Sequence, residues 1–446
     1  MDIISITIVM VFTDRRDLAL TVSGSRAAAI FDQAVDEVVG FQGDPVATLG
    51  RAIEIDDQFV LAHCLSAMMN IIGNASSRLD EAKLSLEQVR QSVDLATERE
   101  QLHGVAVEAW CDLKLERASN LYQKILSDYP YDLMAMFAGH WLDFYRGDAQ
   151  SLRGRIARAL RAWDESVPGY HWLLGMYAFG LEETGQYRQA ESCGRQAVEL
   201  DSGDAWGVHA VAHVMEMEGR LEEGVDWLET TCSGWRFTNI KIHNWWHQLL
   251  FLIDLGDVEQ ALQIYDDRLV DPERDDVEAL IDRVSALARL SLLDINVAER
   301  WSTVVPLWRP MMEDARYPFN DLHALLCFHY GGEQQSAAAL MRAVECQYDR
   351  AIPMMMIGRS VLVGVDAFCR GHNADSLQSL LPVLYKVNRI GGSHAQRDLI
   401  QQIALEAAVR DRQWSVAQSL LAERTLLRET APAAFSVHAA SRIPWA

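Results

Sequence analysis

Gly185-Gln186-Tyr187-Arg188-Gln189-Ala190 is followed after 34 residues by Gly219-Arg220-Leu221-Glu222-Glu223-Gly224 and after a further 37 by Gly256-Asp257-Val258-Glu259-Gln260-Ala261. Each string holds a turn glycine, then two linking residues, then the start of an apolar-periodic segment with a small residue five places after the glycine. Helical segments lie on both sides of each string, so the unit is a helical hairpin repeated end to end. A period of this length decides the architecture, because one hairpin cannot bury its apolar face alone and must stack on its neighbours.

The period is close to that of tetratricopeptide repeats, and Leu173, Gly175, Tyr177, Ala178 and Phe179 with Gly185, Tyr187 and Ala190 fit that pattern. Weaker copies are legible at Arg117–Tyr122 running to Tyr129-Pro130-Tyr131-Asp132, at Tyr145-Arg146-Gly147-Asp148, and at Asp411–Ala417. Strand-like alternation is nearly absent outside the first dozen residues, and the prolines fall mostly between helical segments. The expected fold is therefore all-α: a tetratricopeptide-like right-handed α-solenoid of helical hairpins. From Leu269 to Pro318 the Gly-x-x punctuation disappears, which predicts irregular helices in the C-terminal half. With no Gly/Ser or Pro-rich linker, residues 17–428 read as a single repeat domain, 1–16 as an N-terminal extension and 429–446 as a loosely ordered tail.

Bulk properties narrow the partners. Half of the 446 residues are hydrophobic, enough for a continuous core, and the formal charge is −23. Clustered Lys and Arg are what neutralise phosphate, so this balance predicts no nucleic acid and no anionic membrane surface as partner. Seven cysteines without a C-x-x-C spacing suit reduced thiols in a cytoplasmic protein. The run Met1–Phe12 is apolar, but Asp2 stands where a signal peptide carries basic residues, and the run is too short to span a bilayer. It is expected to be a loose or strand-like extension, the lesser reading being a weak signal peptide.

The polar residues of the first helices carry the functional signal. Counted back from the turn residue, His103 lies at −10, His140 at −7, Glu183 at −2, His209 at −10, His213 at −6, Glu216 at −3, His243 at −13 and His247 at −9. These offsets fall near steps of three and four, one stripe on an α-helix, and in such arrays the first helices line the concave channel. Two His pairs at i,i+4 exceed the ~0.4 expected from a random draw of this composition.

Three readings stay open. Two imidazoles at i,i+4 reach one ion from a single helix, so His209, His213, His243 and His247 form a candidate site for a divalent metal such as zinc, with Glu216 or Glu183 completing or orienting the shell. The same residues also make a metal-free acid-base site in a desolvated channel. The third reading is hydrogen-bonded histidines in a buried or partner-binding groove. Trp206, Trp245, Trp246, Trp172 and Trp141 beside the stripe read first as interhelical packing and second as the floor of a pocket. Met354-Met355-Met356 reads as core filling, since adjacent thioethers face different sides of a helix.

Two further motifs lie toward the C-terminus. Tyr317-Pro318-Phe319-Asn320-Asp321 opens a helix, with Asp321 a carboxylate candidate for the channel. Gly391-Gly392-Ser393 precedes another, whose first amides with Arg397 could anchor an anion; a tight turn capped by Ser393 is the plainer account.

Arg99–His103 with Ala106-Val107-Glu108, Tyr177–Thr184, Asp204-Ala205-Trp206 with His209, Ala212-His213 and Glu216-Met217, His243-Asn244-Trp245-Trp246-His247, Phe319-Asn320-Asp321, and Gly391-Gly392-Ser393 with Ala395–Asp398 together resemble the tetratricopeptide repeat protein 38 family. The resemblance runs from about Thr21 to near Leu427. It implies an all-helical repeat fold, a cytoplasmic setting and a polar stripe that belongs to the family pattern. It transfers no activity.

The expectation is a His/carboxylate-lined concave pocket that binds a small polar substrate and acts on it by acid-base or metal-assisted hydrolysis or elimination. His209, His213, His243, His247, Glu183 and Glu216 would be at its chemical centre, and His103, His140, Asn244, Trp246, Asp321 and Arg397 around the substrate. No dinucleotide fingerprint, Walker loop or nucleophile elbow is present, which disfavours dehydrogenase, kinase and serine-hydrolase readings. The alternative is a non-catalytic scaffold holding a peptide or protein in the groove, the common use of this architecture. Whether the chain is an enzyme, and whether it forms a homodimer, the sequence leaves open.

Overall fold

The structure, a computed structural model, describes residues 11–427 apart from Glu273 and Asp275, and residues 433–444. The apolar run 1–10 and the tail segments 428–432 and 445–446, on which the extension and tail expectations partly fall, lie outside the described residues. The chain forms two compact units: Met1–Ile72, Arg78–Asp143 and Gly154–Leu173 make one, and Gly73–Ser77, Phe144–Arg153 and Leu174–Ala446 the other.

The fold is an all-α solenoid of tetratricopeptide-like helical hairpins. The first unit opens on two short antiparallel strands, Val11–Thr13 and Ala19–Thr21, with Val11 opposite Thr21. Its helices include Ser25–Val39, Pro45–Ile55, Val60–Ile71, Leu79–Ser92, Glu98–Cys111 and Leu115–Asp128. Glu100 caps its own helix reciprocally with Thr97 and accepts from the Thr21 amide at 2.8 Å, so one buried carboxylate ties the strand pair to a helix start. Farther along, Arg155 and Ser119 both bond Asp143, which leaves that buried carboxylate compensated.

The second unit carries the punctuation that the sequence displays. Its hairpins include Tyr187–Leu200 after Gly185, Ala205–Glu218 with Leu221–Trp235, Lys241–Asp254 with Val258–Ile264, Val277–Leu292 with Ala298–Trp308, Pro318–Tyr330 with Gln334–Gln347, and His394–Arg410 with Trp414–Leu427. Gly185, Gly219, Gly256, Gly332 and Gly371 all turn with positive φ. The repeat also continues where glycine is missing. Asp294 (φ 62°) and Arg412 (φ 56°) hold the same left-handed turn in this unit, and Leu113 (φ 55°) does so in the other. Irregular elements do occur in the C-terminal half, as a π turn at Tyr265–Leu269 and 3₁₀ turns at Arg309–Met311 and Leu384–Ile390. A further helix, Ala434–Ala440, stands in the stretch read as a loose tail, with Phe435 and Ala439 buried.

First and second helices of a hairpin differ in burial. From Ala205 to Glu216 every residue is buried, whereas Leu221–Trp235 buries only Leu221, Gly224, Leu228 and Trp235. The first helix is therefore an inner helix, covered on all sides, and the second an outer one with a single apolar stripe. Val208, Val211, Ala212 and Met215 pack with Leu221, Leu228, Trp235 and Phe251 on one side of the inner helix. At Gly207 a side chain would meet the Gly194 carbonyl oxygen at 2.6 Å, so this pair of helices approaches more closely than alanine allows. A polar residue on an inner helix is consequently shut off from solvent and must find its partner within the protein.

Candidate metal centre

Four imidazoles converge in the second unit. His209 and His213 come from Ala205–Glu218, and His243 and His247 from Lys241–Asp254, the inner helix of the next hairpin. Their i,i+4 spacing puts each pair on one helix face. Ring centroids lie 4.5 Å apart for His209–His213, 4.8 Å for His243–His247, 4.4 Å for His213–His247 and 5.0 Å for His209–His243. One nitrogen from each ring falls within 4.8 Å of the other three. His213 and His247 are fully buried, and His243 is the ring with most solvent contact, at 19% of its side chain.

Two of the rings are oriented from behind by carboxylates. His247 Nδ1 lies 2.9 Å from Glu216 Oε2, and His243 Nδ1 lies 3.0 and 2.9 Å from the two oxygens of Asp282 on the Val277–Leu292 helix. Donation of the Nδ1 proton to a carboxylate leaves Nε2 with its lone pair, the tautomer a metal requires. Burial, reinforced by the neighbouring imidazoles, pushes His213 and His247 well below the ordinary histidine range and keeps them neutral. Neither nitrogen of His213, nor Nε2 of His247, has a hydrogen-bond partner among the described residues. Trp246 stacks on His243 at 5.1 Å with its rings 13° from parallel, and Arg289 lies over the same indole, so the apolar wall of the centre is itself backed by a buried cation.

A second polar group adjoins the first. Glu182 is fully buried, and neither oxygen is hydrogen-bonded among the described residues; Oε2 is 3.6 Å from His213 Nδ1 and Oε1 is 3.5 Å from His394 Nδ1. Burial, with Glu183 beside it, raises the Glu182 carboxyl above the usual range. Burial acts in the same sense on Glu183 but is outweighed by Arg397 and His394, which hold it low. Glu183 Oε1 accepts from the His394 amide at 2.7 Å, and Oε2 lies 3.1 Å from Arg397. Arg397 also donates to the Gly392 carbonyl, and Ser393 caps its helix in a reciprocal box with Gln396.

The remaining candidates are dispersed. His103 and His140 belong to the first unit, where His103 Nε2 is 2.9 Å from Asp132, itself paired with Arg99. Asp321 is bonded by Tyr348 Oη at 2.6 Å, and burial pushes its carboxyl up to about 8. Asn244 is fully buried beside His243, with no hydrogen bond at either amide atom among the described residues. Arg397 engages Glu183 and the chain itself, not an open channel. The cavity behind Glu216, lined also by Asp254, Arg289, Asp398 and Gln402, measures about 20 Å³, room for a water molecule.

Sequence reasoning missed Asp282, Glu182 and His394. Asp282 sits on the helix whose turn glycine is replaced by Asp294, so the offset rule that aligned the other helices did not reach it. Glu182 and His394 were visible as residues of motifs, yet their meeting depends on a helix more than two hundred residues away.

No family model matches the chain. Solved structures with a similar helical arrangement include the human IFIT1 dimer with m7Gppp-AAAA, 11% identical, covering 91% of this chain and 95% of that one with a TM-score of 0.44. The human IFIT1 dimer with PPP-AAAA is 12% identical, with 95% of each chain covered and a TM-score of 0.43. A monomeric IFIT1 variant with Gppp-AAAA has the same identity and coverage at 0.45. The likeness is one of helical arrangement and brings no activity with it. These structures do correct one expectation, the exclusion of nucleic acid from net charge: helical-repeat chains are found with such ligands, and the charge summed over a chain does not set the potential inside one groove. Among the described residues, no helix is long and apolar enough to cross a membrane.

Proposed function

We propose that this protein is a metal-binding helical-repeat protein whose second unit holds a divalent ion of the zinc class between His209, His213, His243 and His247. The observation that supports it is the convergence of four imidazole nitrogens within 4.8 Å, three of them on buried side chains and two of the rings backed by carboxylates at 2.9 Å. Four neutral imidazoles bring no charge to a dication; Glu216 and Asp282 supply it from the next layer out. A tetrahedral ion with bonds of about 2.0–2.1 Å spaces its nitrogens by about 3.3 Å, so binding draws the four rings slightly inward. The ion then joins two successive inner helices, as a scaffold built of weakly coupled hairpins needs. The resemblance to the tetratricopeptide repeat protein 38 family runs through both His pairs and fits a centre that belongs to the fold itself.

A second reading adds chemistry to the same ion: hydrolysis or elimination on a small polar substrate, favoured by Glu182, a buried carboxyl without a hydrogen bond beside the rings. The scaffold reading is preferred because four protein ligands close a tetrahedral shell. The test is metal content of the full chain purified without a histidine tag, compared with a His209→Ala/His247→Ala variant. The expected result is that the variant binds one ion per chain fewer than the parent, while helical circular dichroism persists. Protein that retains no zinc through gel filtration after incubation with zinc chloride, or a variant that retains as much as the parent, would overturn it.

A further inference from the structure

We propose a second cation position next to the first, formed by Glu182, Glu183, His394 and the outward nitrogen of His213, so that His213 bridges two ions. The proposal rests on the four-histidine reading above, because it assigns His213 to both positions.

The argument begins with distances that do not suit hydrogen bonds. His213 Nδ1 to Glu182 Oε2 is 3.6 Å, His394 Nδ1 to Glu182 Oε1 is 3.5 Å, and His394 Nδ1 to Glu183 Oε1 is 3.8 Å. Hydrogen bonds between such groups close to about 2.7–3.0 Å, as the neighbouring His247–Glu216 and His243–Asp282 pairs do at 2.9 Å. Here, with the same residue types, the contacts stay open. Both Glu182 oxygens, His213 Nδ1 and His394 Nδ1 are buried atoms with no hydrogen-bond partner among the described residues. Leaving four such atoms unmet in a protein interior is costly. A cation removes the cost, and donors around a tetrahedral ion of this class stand about 3.3–3.5 Å apart, close to the spacing observed.

The donor set is chemically coherent. Glu182, Glu183 and His213 each offer one atom within 4.8 Å of the other two, and His394, from the first turn of another helix, brings Nδ1 to 3.5 Å from Glu182 Oε1 and 3.8 Å from Glu183 Oε1. Arg397 compensates the far oxygen of Glu183, while its near oxygen faces the group. With Nδ1 of His213 turned to Glu182, Nε2 remains for the other three imidazoles. When the second ion binds, His213 gives its ring proton to solvent and becomes an imidazolate, so two carboxylates and one imidazolate stand against the dication and Arg397. The His394 side chain is 38% exposed and marks the way in from solvent.

The experiment uses the full chain, stripped with chelator, reloaded with zinc chloride and desalted, with zinc counted per chain by plasma mass spectrometry. Two zinc ions per parent chain are expected, falling to one in Glu182→Gln and in His394→Ala. His394→Ala alters a partly exposed side chain and keeps the question answerable if Glu182→Gln misfolds. One zinc in the parent and in both variants would overturn the second position and leave the first standing. Two in the parent and in both variants would also overturn this assignment. None in the parent would overturn both readings.

Discussion

Asp282→Asn tests whether the carboxylate behind His243 serves the ion or only the fold. Asp282 is 2% exposed and receives His243 Nδ1 between its two oxygens at 3.0 and 2.9 Å. Asparagine has nearly the same shape and keeps one oxygen to accept the ring proton, so the tautomer and ring plane persist while the negative charge is lost. Loss of an outer-layer carboxylate of this kind lowers metal affinity by roughly 10–100-fold, or about 1.4–2.7 kcal/mol. In the metal-free protein the balance differs. The substitution removes a buried charge with its desolvation cost and leaves one amide donor unmet, effects of opposite sign, so apo stability should change by less than about 1 kcal/mol. The assay is zinc competition against a chromophoric chelator, paired with urea unfolding of the chelator-treated protein. Unchanged zinc affinity, or an affinity loss matched by an equal loss of apo stability, would refute the reasoning.

Other consequences follow from the same geometry. Zinc at about one hundred times its dissociation constant should stabilise the chain by about 2.7 kcal/mol, read as a rise in Tm of roughly 3 °C that His209→Ala/His247→Ala abolishes; an equal rise in that variant would place the ion elsewhere. Gly207→Ala puts a methyl 2.6 Å from the Gly194 carbonyl oxygen and 3.0 Å from Ala197 Cβ, and should cost about 1–3 kcal/mol in urea unfolding; a neutral result would mean the two helices separate freely. Asp321 has a folded pKa near 8, above its unfolded value, so the native state holds a proton that the unfolded chain has released and stability falls as pH rises from about 4 to 8. Asp321→Asn should remove up to about 1.4 kcal/mol per pH unit of that slope, measured by unfolding at pH 5, 6, 7 and 8; an unchanged slope would show that Asp321 ionises freely.

The turn glycines made the repeat legible because a left-handed turn after a helix favours glycine strongly enough to leave a mark in one sequence. The mark fades at Leu113, Asp294 and Arg412, which hold the same turn with positive φ. There the packing of two long helices outweighs the local strain of a side chain, and nothing in the residue type announces the turn. The count of offsets for His209, His213, His243 and His247 worked because helical periodicity is a local property. The same count grouped them with His103 and His140, which the fold places in a different compact unit, as offsets along a helix say nothing about which helices become neighbours.

What the chain's own order of residues determines is thus local: where helices start and stop, which of their faces are apolar, and which polar side chains share a face. Only the tertiary structure decides the partners. Asp282 reaches His243 across 39 positions, Glu216 reaches His247 across 31, and His394 meets Glu182 from a helix 212 residues further on. Such meetings are set by the burial of apolar faces far larger than any ring or carboxylate, so the polar groups take the positions that core packing leaves them.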